Sequence, residues 1–558
     1  MRIENKSSSY PEIETHKREL CAPYKPLDAN KNQLTMKKII FKLFTSLLFT
    51  LFITNVCHSQ YTPKQIDSIM GDAMDKFNVA GVALAIVKDG EIIHSKGYGI
   101  KSYATKNPVN NHTNFAIASN SKAFTTAALA ILVEEGKISW QDKVKDHIPE
   151  FKMYNPYVTE NFNIQDLLTH RSGLGLGVGD LMFFPDGSDF TMDDLLSSFQ
   201  YFKPVSAFRT QFDYDNLLYL VAGEVIKRVS GMSWEDFITK RIFHPLKMDN
   251  SYAALDKIKD KSNLAKPHDS NSGTLKVLPD YQEMINGAAG GIYSNVDDIS
   301  NWMLMHLNNG KYGDSLKNQL FTQESQYEMW KIHTVTDVNR NPRYNSHFAG
   351  YGLGWDLSDI KGKMSVSHTG GLPGMLSKTI MIPDINLGVV ILTNTSDDGA
   401  GIFGAVSNTI VDSYLGLDDF GWVDKYAAYF KSRKEEADAV TKEVWKAINS
   451  VDDSHIKHID YIGVYKDAWF GKIEVFMNGN KLWMKSHKSP KLNGEMFFYN
   501  ANTFAIKWEY QDMNADAFAM FSLDQEGKAQ SIKMKGISPN IDFSFDFHDL
   551  DLIRVDNN

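Results

Sequence analysis

The hydrophobic period of this chain changes once, and the change divides it into two folding problems. Upstream of residue 421, apolar residues recur at helical spacing. In 123–135, Phe124, Ala127, Ala128, Ile131 and Leu132 share a face and Gly136 supplies the stop. Residues 217–229 and 297–307 show the same habit, and 402–414 is a further helix-like stretch. Runs of β type stand at both ends of this region. The run 82–87 meets the turn Lys88-Asp89-Gly90 and continues as 91–99, a hairpin pattern, and 389–392 is the clearest of several β-type segments between 361 and 395. Strands at both ends with helices between predict one α/β domain over residues 60–420. Downstream of His455 the period shortens. The stretches 472–477, 481–485, 503–510, 518–523 and 530–535 alternate, the first two around the turn Asn478-Gly479-Asn480. Residues 456–558 are therefore expected to form a smaller β-rich domain. Between the two, 421–455 is charged and helical, with Lys431, Arg433, Lys434, Glu435 and Glu436 clustered, and reads as a connector.

A chain of 558 residues that is 43% hydrophobic buries a large core, which excludes a disordered protein or a peptide module. The formal net charge of -9 carries no footprint for a polyanion, so nucleic acid is excluded as a partner class. Residues 36–59 hold Lys37, Lys38 and Lys42, an apolar stretch over 43–56 and the small residue Ser59, the layout of a secretory signal peptide. The apolar stretch is shorter than the ~20 residues a membrane-spanning helix needs. Cleavage after Ser59, export to the periplasm or medium and no permanent membrane span are the expectation. Residues 1–35 precede what looks like a natural start at Met36 and are expected to be a non-native or disordered extension. Both cysteines, Cys21 and Cys57, lie before the cleavage point, so the mature chain is expected to hold together by packing alone.

The chemistry concentrates at three places. Ser119-Asn120-Ser121-Lys122 opens the helix at 123–135 and sets Ser119 and Lys122 one turn apart on a common face. A serine hydroxyl needs a neighbour to take its proton. A lysine does so when burial lowers its pKa, and a helix N-terminus adds backbone N–H groups where an oxyanion forms. The same spacing recurs at Ser358 and Lys361 and at Ser454 and Lys457, but only Ser119 is preceded by a compact apolar run, 115–118, and followed by a long apolar helix. Tyr214-Asp215-Asn216 leads into the helix at 217–229. A tyrosine there can exchange protons with nucleophile or leaving group, and the two-sided amide of Asn216 can hold Lys122 and a substrate amide. Tyr293-Ser294-Asn295 offers the same residue types next to the glycine-rich run 287–291 and ranks below Tyr214. His368-Thr369-Gly370-Gly371 follows a β-type segment, and its glycines allow close backbone approach, with the N–H of Gly371 available to an oxyanion.

In this order the three elements resemble the motifs of the serine β-lactamase and penicillin-binding-protein superfamily. The tyrosine-type middle motif is similar to that of the class C branch with its esterase and D-aminopeptidase relatives. Residues 167–174 and 290–294 resemble recurrent structural segments of that branch. The resemblance spans roughly residues 65–415. It implies an antiparallel sheet flanked by helices plus a helical subdomain, with Ser119, Lys122, Tyr214 and His368 catalytic and Asn216, Thr369, Gly370 and Gly371 binding substrate. It also implies acyl-enzyme chemistry on small esters, D-amino-acid peptides or β-lactam-like compounds, with no cofactor and no metal. The departure is His368 where β-lactamases usually carry lysine. A histidine is largely neutral near pH 7, so a substrate carboxylate lacks a fixed counter-charge. Residues 460–547 resemble an uncharacterised β-domain that often follows such hydrolases.

Three rivals are weaker. The glycines of 399–404 follow a strand and open a helix, as a dinucleotide fingerprint does, but no acid-terminated strand follows at the required distance. Residues 337–341 begin like a calcium loop, yet Pro342 and Phe348 occupy the glycine and glutamate positions. No His-Glu-x-x-His or cysteine-pair ligand set occurs. The alternative from another class is a catalytically weak protein that binds penicillin or peptidoglycan fragments. Retention of every proton-handling group favours turnover.

Overall fold

The computed structural model of the protein describes residues 60–270, 273–282 and 285–555. The signal peptide and N-terminal extension expected over 1–59 lie outside the described residues.

The body is an eight-stranded antiparallel sheet between two helical layers. Helix α1 (Pro63–Lys76) starts where it does because Thr62 and Gln65 form a capping box and Pro63 occupies the first turn. Strands β1 (Gly81–Lys88) and β2 (Glu91–Gly99) form the hairpin expected at Lys88-Asp89-Gly90. Five longer helices follow, with shorter ones between them: α2 (Ser121–Glu134), α3 (Leu217–Ser230), α4 (Val296–Leu307), α5 (Asp398–Tyr414) and α6 (Trp422–Ile448). The other sheet strands are β3 (Thr334–Val335), β4 (Ala349–Tyr351), β5 (Asp356–Ile360), β6 (Lys363–Leu372), β7 (Met375–Ile382) and β8 (Leu387–Thr393). The order across the sheet is β2-β1-β8-β7-β6-β5-β4-β3. The first and last long strands of the domain thus pair side by side, as the second and third strands across the sheet, Val82 opposite Thr393 and Lys88 opposite Leu387.

The run 82–87 is apolar without alternation because β1 is covered on both faces. Val82, Leu84 and Ile86 meet Met70 and Phe77 beside α1 and Ile402, Val406 and Ile410 of α5. Ala83, Ala85 and Val87 belong to a second core with Phe124 of α2 and Trp302 of α4, whose rings stack at 4.0 Å. The glycines of 399–404 serve this packing. A Cβ on Gly401 would lie 2.2 Å from the Phe77 ring, and one on Gly404 2.5 Å from the Tyr426 ring.

The C-terminal region is a closed antiparallel barrel of eight strands: β9 (Gly463–Asp467), β10 (Gly471–Asn478), β11 (Lys481–Ser486), β12 (Asn493–Asn500), β13 (Thr503–Trp508), β14 (Ala517–Leu523), β15 (Ala529–Gly536) and β16 (Leu552–Val555). Pairing of β9 with β16 closes it and leaves no open edge. Alternate residues such as Val475, Leu482, Met484 and Ile532 are buried, and rings including Tyr461, Phe504 and Phe521 add to this core. The barrel packs on the body through Phe470 on Phe190, Trp469 on Phe202 and Phe545 on Phe184. Helix α6 ties in at both ends. Trp422 donates through its indole nitrogen to Asp412 at 2.7 Å, and Ile448 packs with Trp445 and Phe497 against the barrel wall.

Among the described residues no helix is long and apolar enough to cross a membrane.

Candidate active site

Ser119 lies in a single 3₁₀ turn, Ala118–Asn120, just ahead of α2. The turn is reached through Ala118 at φ +47°, a left-handed conformation costly for a residue with a Cβ. Neighbours hold it there. The short strand Phe115–Ala116 pairs with Tyr293–Ser294, and the Ile117 N–H donates to Ile292 O at 2.9 Å. The Ser377 hydroxyl donates to Ile117 O at 2.6 Å while accepting from Asn120 Nδ2 at 2.8 Å. Strand β6 approaches so closely that a Cβ on Gly370 would stand 2.2 Å from Ile117 O and 2.9 Å from Ser119 N. Both obstacles are backbone and cannot swing aside. Gly370→Ala is therefore expected to cost at least ~10²-fold in kcat/KM through displacement of Ser119. Wild-type kcat/KM in this variant would contradict that account of the turn.

Lys122 is fully buried in the first turn of α2, three residues on from Ser119. Its Nζ contacts Ser119 Oγ at 3.0 Å, Asn216 Oδ1 at 2.7 Å and Ala289 O at 3.0 Å. The last two partners only accept, so a neutral amine spends its two hydrogens on them and turns its lone pair to the serine hydroxyl. Burial pushes the Lys122 pKa down to about 7, against the opposing charges of Asp180 and Asp215. The group is thus poised between acid and base near neutrality.

Asn216 is free to serve Lys122 because Asp215, not Asn216, caps α3: Asp215 Oδ1 accepts from the Leu218 N–H at 3.3 Å. The amide nitrogen of Asn216 donates to Asp180 Oδ2 at 2.8 Å. Each end of the Asn216 amide thus has a protein partner, and a substrate amide would use its second N–H or second lone pair. The Tyr214 hydroxyl faces Ser119, and its ring centroid is 4.8 Å from Lys122 Nζ. Burial holds its phenol well above the usual range, so the hydroxyl stays protonated. Tyr293 does not join this cluster; it belongs to the short strand behind Ser119.

His368 is buried in β6 with both ring nitrogens engaged, Nδ1 on Thr369 O at 2.5 Å and Nε2 on the Tyr351 hydroxyl at 2.9 Å. A carbonyl only accepts, so the proton sits on Nδ1 and the Tyr351 hydroxyl donates to Nε2. Burial, with the Lys122 charge as a lesser cause, pushes the His368 pKa down to about 3. The ring is neutral. The sequence of the β6–β7 hairpin sets the direction of the next donors. Leu372 and Met375 close the two-residue turn, so Gly371, opposite Leu376, is out of phase and its N–H leaves the ladder. Beyond Ser367 the other side of β6 has no strand partner. Gly371 and Thr369 therefore face the cleft that Ser119 lines.

Other residues of the site were not singled out by their spacing. His170, at φ +51° and fully buried, accepts the Asp215 N–H on Nδ1 at 3.0 Å. Its ring is 4.2 Å from Tyr214 and 4.6 Å from Tyr351, and burial keeps it neutral. Its only signal in the sequence is its place within 167–174. Asp180 and Tyr351 have no local signature. Among the described residues no lysine or arginine lines the cleft, whereas Asp356, Asp397 and Asp542 do. Of the two other Ser-x-x-Lys matches, Ser358 lies in β5 with Lys361 in the turn that follows, and Ser454 is exposed in a loop. Among the described residues no group of histidine, cysteine and acidic side chains could hold a metal ion.

Residues 66–405 match the beta-lactamase family, and 453–554 match a family described as a domain of unknown function, DUF3471. An unguisins hydrolase of Aspergillus campestris is 27% identical over 341 residues, which are 59% of this chain and 61% of that protein. Protein flp of Staphylococcus aureus is 26% identical over 350 residues, 60% of this chain and 64% of that protein. The chain thus spans under two thirds of either relative's length. In fold it is similar to an octameric penicillin-binding protein homologue from Pyrococcus abyssi, with a TM-score of 0.55 and 21% identity over 88% of this chain and 99% of that one. With a family match that covers most of the chain, and with Ser119, Lys122 and Tyr214 gathered at one cleft, the protein belongs to the beta-lactamase family.

Proposed function

We propose that the protein is an acyl-hydrolase that works through a covalent intermediate on Ser119. The observation that carries this reading is the 3.0 Å contact between Ser119 Oγ and a buried lysine whose two other partners are pure acceptors. Neutral Lys122 takes the Ser119 proton as Oγ bonds to the substrate carbonyl carbon. The oxyanion faces the N–H groups of Ser119 and Gly371. Collapse breaks the bond to the leaving group, which takes a proton from the Tyr214 hydroxyl, and the proton held on Lys122 makes that loss good. Water then repeats the sequence on the acyl-enzyme, releases the acid and restores Ser119.

The substrate class follows from charge. His368 is neutral, no lysine or arginine among the described residues lines the cleft, and three carboxyl groups do, all with their pKa raised by burial, Asp356 and Asp397 to about 6. Small esters and neutral or cationic acyl-amides, D-amino-acid peptides among them, are therefore preferred over penicillins. Loss of a charge-assisted hydrogen bond to the penicillin carboxylate is worth about 1.5–3 kcal/mol, or roughly 10–150-fold. His368→Lys is expected to narrow the gap. The test is kcat/KM for an ester and a penicillin in both proteins, and an unchanged ratio would show that residue 368 does not set selectivity.

We also propose that the protein acts outside the cytoplasm, on the charged, apolar and small-residue order of 36–59. N-terminal sequencing of the protein from its natural host should read a start at or near Gln60. Recovery of the unprocessed chain in the cytosol would contradict export.

A further inference from the structure

A loop of the C-terminal barrel reaches the site. The segment between β15 and β16 brings Ser544 to Asp180, its hydroxyl donating to Oδ2 at 2.8 Å. The same Oδ2 accepts from Asn216, and Asn216 accepts from Lys122, so an unbroken chain of hydrogen bonds runs from the barrel to the base. Two further contacts fix the loop. The Asp546 carboxylate accepts the N–H groups of Gly179 and Leu181 at 2.7 and 2.9 Å on either side of Asp180. Phe543 meets the Tyr214 ring edge-on at 6.0 Å, over Gly177. Gly177 is at φ +70°, and a Cβ there would stand 2.7 Å from the Phe543 ring and 2.9 Å from its carbonyl oxygen. The N–H of Gly177 donates to Tyr214 O, which couples this seat to the tyrosine.

We propose that the barrel is a working part of the catalytic site, with Ser544 and Asp180 as positioning residues that hold Asn216, and through it Lys122, in register with Ser119. The inference rests on the reading of Lys122 as the base. Packing alone does not call for this arrangement. Asp180 is fully buried with no cation in hydrogen-bond contact, and its Oδ1 has no partner among the described residues. A buried carboxylate so incompletely satisfied is costly. Burial, with the nearby carboxyl groups of Asp215 and Asp546, holds the Asp180 carboxyl well above the usual carboxylate range, and the Asn216 amide and Ser544 hydroxyl favour its anion, so the charge it offers Lys122 depends on those two donors. The ionisable and polar groups facing Lys122 are Asp180, Asp215, Tyr214, Tyr219, His170, His368, Ser119 and Asn216, and Asp180 heads those that favour its protonated form.

The sign of the effect follows. The Ser544 hydroxyl stabilises the Asp180 anion, so its removal lets Asp180 take a proton more readily, and Lys122 loses counter-charge and deprotonates at lower pH. For the full-length mature chain, kcat/KM against pH with an ester, the rate of Ser119 labelling by a fluorophosphonate and a thermal melt are compared across wild type, Ser544→Ala and Ser544→Thr. Ser544→Ala is expected to lower the plateau about tenfold, the size of a lost hydrogen bond to a charged group, and to move the acid limb to lower pH. Ser544→Thr, which keeps the hydroxyl, restores both. A wild-type plateau and limb in Ser544→Ala would overturn the proposal. So would a loss that tracks the melting temperature while the limb stays put. Should Ser544→Ala fail to fold, Asp180→Asn removes the charge at equal volume, and an unmoved limb there overturns the proposal equally. A wild-type protein that is unlabelled at Ser119 would overturn the earlier reading of the site, and this inference with it.

Discussion

Ser119→Ala is expected to lower kcat on the order of 10⁴–10⁶-fold, the scale seen when a nucleophile that works as a unit with its base is removed. Other hydroxyls line the cleft, including Thr369 and Ser396, but Lys122 Nζ contacts only the hydroxyl of Ser119. Among the described residues no other cleft hydroxyl has this contact. The oxyanion donors and the pocket remain, so a residual acceleration over water is expected to survive. The fold should be intact, because Ser119 is only partly buried and its turn is held by Ile117, Asn120 and Ser377. A variant that melts with the wild type yet turns over ester at the wild-type rate would remove Ser119 from the mechanism.

Lys122 carries the second large effect. Lys122→Ala is expected to lose on the order of 10²–10⁴-fold, the range for a positioned general base. Lys122→Arg should fare no better although it keeps the charge, since a guanidinium does not deprotonate in a protein. The pH profile gives an independent reading. Burial has brought the lysine down to about 7, and only the neutral form accepts the serine proton. The kcat/KM of the wild type should therefore rise with pH through about 7 and level off above it. A profile flat from pH 5 to 9 would mean that Lys122 does not titrate in the reactive range. Tyr214→Phe retains Lys122 and should keep the acid limb while lowering the plateau.

How far the sequence foretold this site can be judged residue by residue. The apolar run 115–118, the helix after Lys122 and the glycines of 370–371 each have a local physical cause, so their spacing was informative before any fold was known. Period separated the helices from the barrel strands. Where it failed, the cause is local too. Strand β9 is only five residues, and β16 only four, so alternation had little length to show itself. Strands β4 and β5 lie upstream of the β-type segments visible from residue 361 onward, and Gly350, Gly352 and Gly354 interrupt any pattern there. His170, Asp180, Tyr351 and Ser544 escaped notice for a different reason. Each acts through partners well outside its own turn of chain, from 17 residues away for Tyr351 on His368 to 364 for Ser544 on Asp180. Pairing of that kind is created by the fold and leaves no periodicity behind.

The neutral state of His368 was legible from the residue type, but its cause was not. Spacing offered a free imidazole near neutrality. The folded chain instead buries the ring, commits Nδ1 to Thr369 O and gives Nε2 a donor in Tyr351. Introducing a lysine at 368 therefore also frees the Tyr351 hydroxyl, and Tyr351→Phe in the same background separates that effect from the added charge.

The central claim is that Ser119 forms a covalent acyl-enzyme. Intact-mass measurement after brief exposure of the mature chain to a fluorophosphonate, or to an ester under acid quench, tests it most directly. One adduct per chain, mapped to the peptide containing Ser119 and absent from Ser119→Ala, is the predicted result. An adduct that persists in Ser119→Ala, or turnover of ester by a wild type that never gains the mass, would contradict it.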